Sequence, residues 1–287
     1  MAGFNSVKEF VDTELDGKSR LYSWRKSPVQ ATTAGLWFDM SMSPGNPVPQ
    51  YYAASPMVSI RMAQSTDGGL YHGATTGTTK YLQSVISMSN SATGLPMPMI
   101  LCDYLMFYPF VDEGTTDEQF MTNSTTIPRY TDGKGVQVMA ISVAGRTGGQ
   151  TFRFTYTNSD GVSGRVSNTV IQNTSTAIGT IVTSAVTPVA ASNGPFIGLQ
   201  SGDKGVRSIE SVQMISGPDV GLFTLVLVKP LITSQILEQT APTEESLLLE
   251  KGSVPEIKDD AYLNWICMPN GSLSGVSFFG TIQTNFT

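Results

Sequence analysis

The sequence predicts an all-β fold: an antiparallel β-sandwich or jelly-roll-like domain entered by a loop-rich N-terminal arm. Three observations predict it. From residue 101 onward, short runs of β-branched and aromatic residues alternate with clusters of Gly, Asn, Asp and Pro. "QTFRFTYTN" puts Phe152, Phe154 and Tyr156 on one side and Arg153, Thr155 and Thr157 on the other, the period of a half-buried strand. "NSDG" then turns the chain back through "VSGRVSNTV". Charged residues make up 14% of the chain, against roughly 25% in ordinary soluble domains. Ser, Thr, Asn, Gln and Gly stand in their place, which suits strands whose outer faces are polar but neutral.

Residues 1–30 form the arm. Within "SVKEFVDTEL", Ser6 is placed to cap a short helix, with Glu9 three residues on. "DGKSRLYSWRKSPVQ" follows without a clear period. Residues 31–100 read as a loop-rich segment packed on the β domain. "SMSPGNPVPQYYAASP" and "STDGGLYHGATTG" are crowded with turn formers. "MVSIRMA" alternates as a strand, and "YLQSVISMSN" reads as a strand with a helix as the alternative.

Residues 101–287 form the sandwich core. "LCDYLMFYPFV" has the composition of a buried strand. "GVQVMAISVAG" carries Val136, Val138 and Ala140 on one face and Met139 and Ile141 on the other, so both faces need covering. Val162, Val166 and Val170 share a face of the return strand. "AIGTIVTSAVTPVAAS" has the β-branched bias of strands. "GVRSIESVQMI" follows, and "VGLFTLVLVKPL" is the clearest strand, closed by Lys229 and Pro230. "TAPTEESLLLEKGSVPEIKDD" holds a helical turn or a loop. "AYLNWICMP" and "SGVSFFGTIQTNF" complete the sandwich.

Charge and apolar patterning exclude several classes. The net charge is −6, and Lys8, Lys18, Arg20, Arg25 and Lys26 are dispersed among acids. Without a basic cluster, direct nucleic-acid binding is not expected. The longest apolar stretch, "LPMPMILCDYLMFYPFV", contains Asp103 and three prolines. It falls short of the ~20 residues a membrane helix needs. The first twenty residues lack the apolar segment of a secretory signal. Cys102 and Cys267 both sit in apolar runs and read as buried free thiols, with a disulfide as the alternative.

Reactive constellations are scarce. His72 is the single histidine, which excludes a multi-histidine metal site, and its glycine-flanked setting reads as a loop. Asp112, Glu113, Asp117 and Glu118 form an acidic stretch that reads as a solvated loop, with Ca²⁺ binding as the alternative. No phosphate loop occurs, and "NGSLSGV" has Leu273 where a nucleophile elbow needs serine. No catalytic residue, metal or cofactor is assigned, and an enzyme is not expected.

Several stretches carry a resemblance. They include "WFDMSMSPGNPVPQYYAASP", "LPMPMILCDYLMFYPFVDEGTTDEQFMTNSTTIPRYTDGKGVQVMA", "GGQTFRFTYTNSDGVSGR", "VGLFTLVLVKPL" and "DDAYLNWICMPNGSL". From about Trp37 to about Ser272 the chain resembles uncharacterised virion-associated proteins that are widespread in tailed bacteriophages. The resemblance implies a structural part of a phage particle. The expectation drawn from it is a capsid decoration, or cement, protein on the outer surface of the virion head. It would bind the major capsid protein as a homo-oligomer, a trimer. A tail, baseplate or fibre component that contacts the host surface is the alternative. Phe4, Phe10, Leu21, Tyr22 and Trp24 of the arm are the expected anchors on the shell, because large side chains carry disproportionate interface energy.

Overall fold

A computed structural model describes Phe4 and residues 6–184, 194–251 and 254–287. In chain order, helix α1 (Val7–Leu15) leads to β1 (Ser19–Lys26), β2 (Phe38–Asp39), β3 (Gly45–Asn46) and β4 (Ile60–Arg61). Helix α2 (Gln64–Asp67) precedes β5 (Lys80–Ser89), β6 (Met97–Phe107), β7 (Val111–Asp112), β8 (Gln119–Phe120) and β9 (Gln137–Ser142). Then come β10 (Thr151–Asn158), β11 (Arg165–Val166), β12 (Val170–Ile171), β13 (Val206–Met214) and β14 (Leu222–Ile236). The chain ends with β15 (Thr243–Ser246), a π-helical turn (Leu247–Lys251), β16 (Glu256–Ile257), β17 (Tyr262–Cys267) and β18 (Phe278–Phe286).

The strands form three antiparallel sheets among the described residues. The first runs β15-β5-β18-β1-β3, with β16 also on β5. The second runs β2-β17-β6-β14-β7, with β4 on β6 and β9 on β14. The third runs β11-β10-β13-β8, with β12 on β10. The expected β-sandwich is present, and the second sheet is shared between two packings.

Strand periodicity shows how one sheet serves two cores. Along β6, Met97, Met99 and Leu101 enter a core with Trp24, Leu82, Val85, Phe278 and Ile282 of the first sheet. Past Asp103, Leu105 has the same parity and enters a core with Phe152, Phe154, Tyr156, Ile209 and Val212 of the third sheet. Cys102 and Tyr104 have the opposite parity. They pack with Met139, Val226, Tyr262 and Ile266 beneath the loop residues Tyr52, Met62 and Ile181. The two-faced pattern of β9 is therefore used on both faces, Val138 and Ala140 on one and Met139 and Ile141 on the other.

At the seam between the first two cores lies a charged clamp. Arg129 grips Asp103 with two hydrogen bonds, Nε to Oδ2 at 2.8 Å and Nη2 to Oδ1 at 2.7 Å. Nη2 also donates to the carbonyls of Met62 and Tyr104, and the Tyr262 amide donates to Asp103. Burial raises the Asp103 pKa to about 6 despite the opposing pull of Arg129.

Several sequence expectations are corrected. Residues 19–26 are not arm: β1 pairs with β18 at every position from Ser19↔Asn285 to Lys26↔Phe278. The loop-rich segment contributes β5, a central strand of the first sheet, so the sandwich does not begin at 101. β14 does not close at Pro230 but runs on to Ile236, because the proline sits at a register shift where no ladder bond is required of it. On the return strand Val170 is buried while Val162 and Val166 are exposed. In "AIGTIVTSAVTPVAAS", Thr180 and Ile181 make single bridges to Phe38 and Ile141, and residues from 185 lie outside those described.

Candidate functional site

The five expected anchors are best located through the elements that carry them. Ser6 Oγ accepts the Glu9 amide at 3.1 Å and starts α1 as its sequence requires. Thr13 and Phe10 form the inner face of the helix. Thr13 Oγ1 accepts from Asn285 Nδ2 at 3.0 Å, and Phe10 meets Phe4 edge to face, which in turn rests on Tyr81. In β1, alternation sends Tyr22, Trp24 and Lys26 inward and Leu21, Ser23 and Arg25 outward. Trp24 is 2% exposed and stacks beside Trp265 in the first core. Tyr22 is half-buried, edge-on to Tyr71. Leu21 is 65% exposed. Four of the five are thus engaged by their own chain, and Leu21 alone stands free of the core. The role of shell anchor is withdrawn from Phe10 and Trp24, which have almost no surface left to offer.

What the fold presents instead is a face. On the outer side of the first sheet, the pairings set Leu21 beside Gln283, Ser23 beside Thr281 and Arg25 beside Phe279. On the next strand, Thr281 and Phe279 lie beside Ile86 and Met88. The face is apolar or polar, and its charges at the paired positions are Arg25 and, on β15 beside Ile86, the exposed Glu244. Helix α1 covers the end near Asn285, where Gln283 Nε2 bridges Glu14 and Ser19. The other end is open.

A second feature is an apolar cavity of about 220 Å³ lined by Val29, Phe38, Met42, Tyr51, Tyr52 and Phe110, among others. Its wall is held from within. Buried Lys26 donates to the carbonyls of Pro47, Ser43 and Ser41 at 2.9, 3.1 and 3.4 Å, and burial lowers its pKa to about 8. Buried Asp39 accepts from Ser41 (N and Oγ), Tyr52 and Tyr104. Desolvation pushes its pKa up while these hydrogen bonds oppose the rise. Both groups fix the loop around residues 41–52 through these hydrogen bonds.

Other titratable groups are also engaged within the fold. His72 is a loop residue, but a buried one, with Nε2 2.9 Å from the Ala261 carbonyl. Burial and neighbouring Lys80 lower its pKa to about 4, so it is neutral at pH 7. Lys80 reaches Asp259 at 3.0 Å. Asp112, Asp117 and Glu118 are exposed as expected, whereas Glu113 is fully buried, 3.1 Å from Arg146 and hydrogen-bonded by Gln172. The solvated-loop reading is corrected at that position: β7 alternation turns Glu113 inward, toward the arginine. Cys102 and Cys267 are buried free thiols, as expected. Among the described residues no group of three or more His, Cys, Asp or Glu side chains is arranged to hold a metal, and no helix is long and apolar enough to cross a membrane.

Glu113 has a measurable signature. Burial raises its pKa to about 7, with Arg146 opposing the rise. The folded state therefore holds a proton that the unfolded chain releases at about 4.3. The resulting stabilisation is full below that lower value and is lost as pH rises through about 7. Denaturant midpoints measured from pH 4.5 to 8 should show this contribution in the native chain and its absence in Glu113→Gln.

No family model matches the chain, and no curated protein matches it. Among solved structures, the D431N mutant VP2 protein of infectious bursal disease virus in T=1 particles aligns with 93% of this chain and 77% of its own. Its identity is 9% and its TM-score 0.20. The Gx strain of the same virus gives 10% identity, 93% and 79% coverage, and a TM-score of 0.18. A bacterial lipoprotein from Bacteroides thetaiotaomicron gives 8% identity, 82% and 99% coverage, and a TM-score of 0.11. Likenesses this slight carry no argument.

Proposed function

We propose that this chain is a structural protein of a tailed-phage virion, a decoration or cement protein on the outer surface of the head. Its partners on this reading are the major capsid protein and further copies of itself, with a trimer the expected form. The observation that carries the reading is the open, almost uncharged outer face of the first sheet, presented beside the exposed Leu21. Charge is depleted at the centres of interfaces, and this face has that composition before any partner is present. The chain's resemblance to virion-associated phage proteins points the same way.

A cement protein works by mass action: binding the assembled lattice and not its free subunits stabilises the lattice. Weak contacts suffice, because many copies act together. The contact surface on this reading is the open sheet face and the rim of the apolar cavity, in place of the buried aromatics of β1.

One observation favours a tail or baseplate position. Asp112, Asp117 and Glu118 are exposed close to Phe120, whose ring is also exposed, a mixed acidic and aromatic surface suited to a host receptor. Gel densitometry of purified virions separates the two readings. A decoration protein should approach the copy number of the major capsid protein. A few copies per particle would overturn the head assignment in favour of the tail, and absence from the particle would overturn both.

A further inference from the structure

The apolar cavity of about 220 Å³ beside Tyr52 is built to stay open. A void in a packed interior is costly, and a free loop would fold down to fill it. Here the loop is pinned. Lys26 holds the carbonyls of Ser41, Ser43 and Pro47, and Asp39 holds Ser41 and Tyr52. Phe38, on another wall, is held by a close backbone approach. Gly179 has φ +94°, and a Cβ there would stand 2.9 Å from the Phe38 ring, so only glycine lets the chain after Ile178 pass this near. Val29 and Tyr51 of the lining are 63% and 65% exposed, which leaves a way in from solvent.

Lining chemistry sets the ligand class. No charged residue lines the cavity, and a charged ligand would lose its hydration there without a partner. Phe38, Tyr51, Tyr52 and Phe110 supply four aromatic rings, with the Met42 thioether beside them. Aromatic side chains favour a further ring edge-on or offset, and thioether sulfur favours a ring edge. Volume limits the ligand to a single ring. An apolar cavity of ~150 Å³ holds benzene, so this one has room for one ring with a small substituent. That substituent has a partner. Ser43 lines the cavity, is 4% exposed, and its hydroxyl makes no hydrogen bond to any described residue. The Tyr52 hydroxyl is already committed, donating to Asp39 at 3.0 Å.

We propose that this cavity binds a neutral phenol-sized ring, with its apolar body among the four aromatic residues and its hydroxyl on Ser43. Such a ring arrives either as a free small phenol or as the end of a tyrosine side chain from a neighbouring protein. The site belongs to the isolated chain, so it stands or falls separately from the copy number in the virion.

NMR titration of the full-length chain tests it, read at the Met42 methyl, which is assigned by its loss in Met42→Leu. p-Cresol should shift that resonance saturably, and benzoate, a charged ring of similar size, should not. Toluene, which lacks only the hydroxyl, should bind ~5-fold more weakly than p-cresol, the factor expected of one neutral hydrogen bond. In Ser43→Ala the two should bind equally. That variant keeps the pinned loop, because Lys26 uses only the Ser43 carbonyl. N-acetyltyrosinamide binding more tightly than p-cresol would identify a protein side chain as the source of the ring, and p-cresol binding alone would identify a free phenol. No saturable shift with either, or a preference for p-cresol over toluene that survives Ser43→Ala, would overturn the proposal.

Discussion

Arg129→Met is expected to cost ~3–5 kcal/mol of folding stability, the largest single effect on this chain apart from core deletions. The cost comes less from the attraction lost than from what is left behind. Asp103 is fully buried between Leu101 of one core and Leu105 of the other, and without the guanidinium it must ionise unpaired or take up a proton. The carbonyls of Met62 and Tyr104 lose their donor as well. Chemical denaturation reads the loss directly. Arg129→Met with Asp103→Asn should lose less than Arg129→Met alone, because the uncompensated charge is gone while an acceptor for the Tyr262 amide remains. The deficit of the single variant should also shrink on acidification from pH 7 to 5, as Asp103 becomes protonated. A deficit equal in the single and double variants, and flat with pH, would show that the pair does not act as a buried clamp.

Trp24→Ala is expected to cost a further ~3–5 kcal/mol in a separate variant, the usual price of deleting a buried aromatic. The indole stacks on Trp265 at 5.5 Å and fills the first core together with Leu82, Val85 and Phe278. Leu21→Ala, three positions earlier on the exposed side of the same strand, should stay within ~0.5 kcal/mol. The contrast separates the two readings of this segment. If β1 were an arm that docks elsewhere, Trp24→Ala would leave the isolated chain as stable as Leu21→Ala does.

That segment shows where sequence reading stops. The hairpin of β10 was legible because its inward Phe152, Phe154 and Tyr156 are aromatic and its outward positions all polar, with the turn beside it in sequence. The two covered faces of β9 and the capped start of α1 were legible for the same local reasons. β1 was not, because Lys26 stands at an inward position and Arg20, of the same parity, is exposed, which hides the alternation. Lys26 is tolerated inside only because three carbonyls from a distant loop surround it. The partner strand, β18, lies at the other end of the chain, beyond any local signal. Glu113 was misread for a similar reason: nothing near it in sequence announces Arg146. Pro230 marks a strand end by propensity, and only the register shift against β6 lets β14 pass through it. The open outer face of the first sheet follows no motif at all. It becomes visible only once Leu21, Phe279 and Met88, from three separate strands, are set side by side.

Several of the charged residues that composition made scarce are spent inside. Asp39, Asp103, Glu113, Lys26, Lys80, Arg129 and Arg146 are all buried. Buried pairs of this kind are weak sources of net stability, but each is costly to break on one side. They fix loops and seams, and they leave the outer face of the first sheet nearly neutral.

If the chain decorates a phage head as proposed, cryo-electron microscopy of the intact particle will locate it there. Its density should then repeat over the outer surface of the head, with the open face of the first sheet turned toward the capsid or a neighbouring copy. Density confined to the tail, or none on the particle, would contradict it.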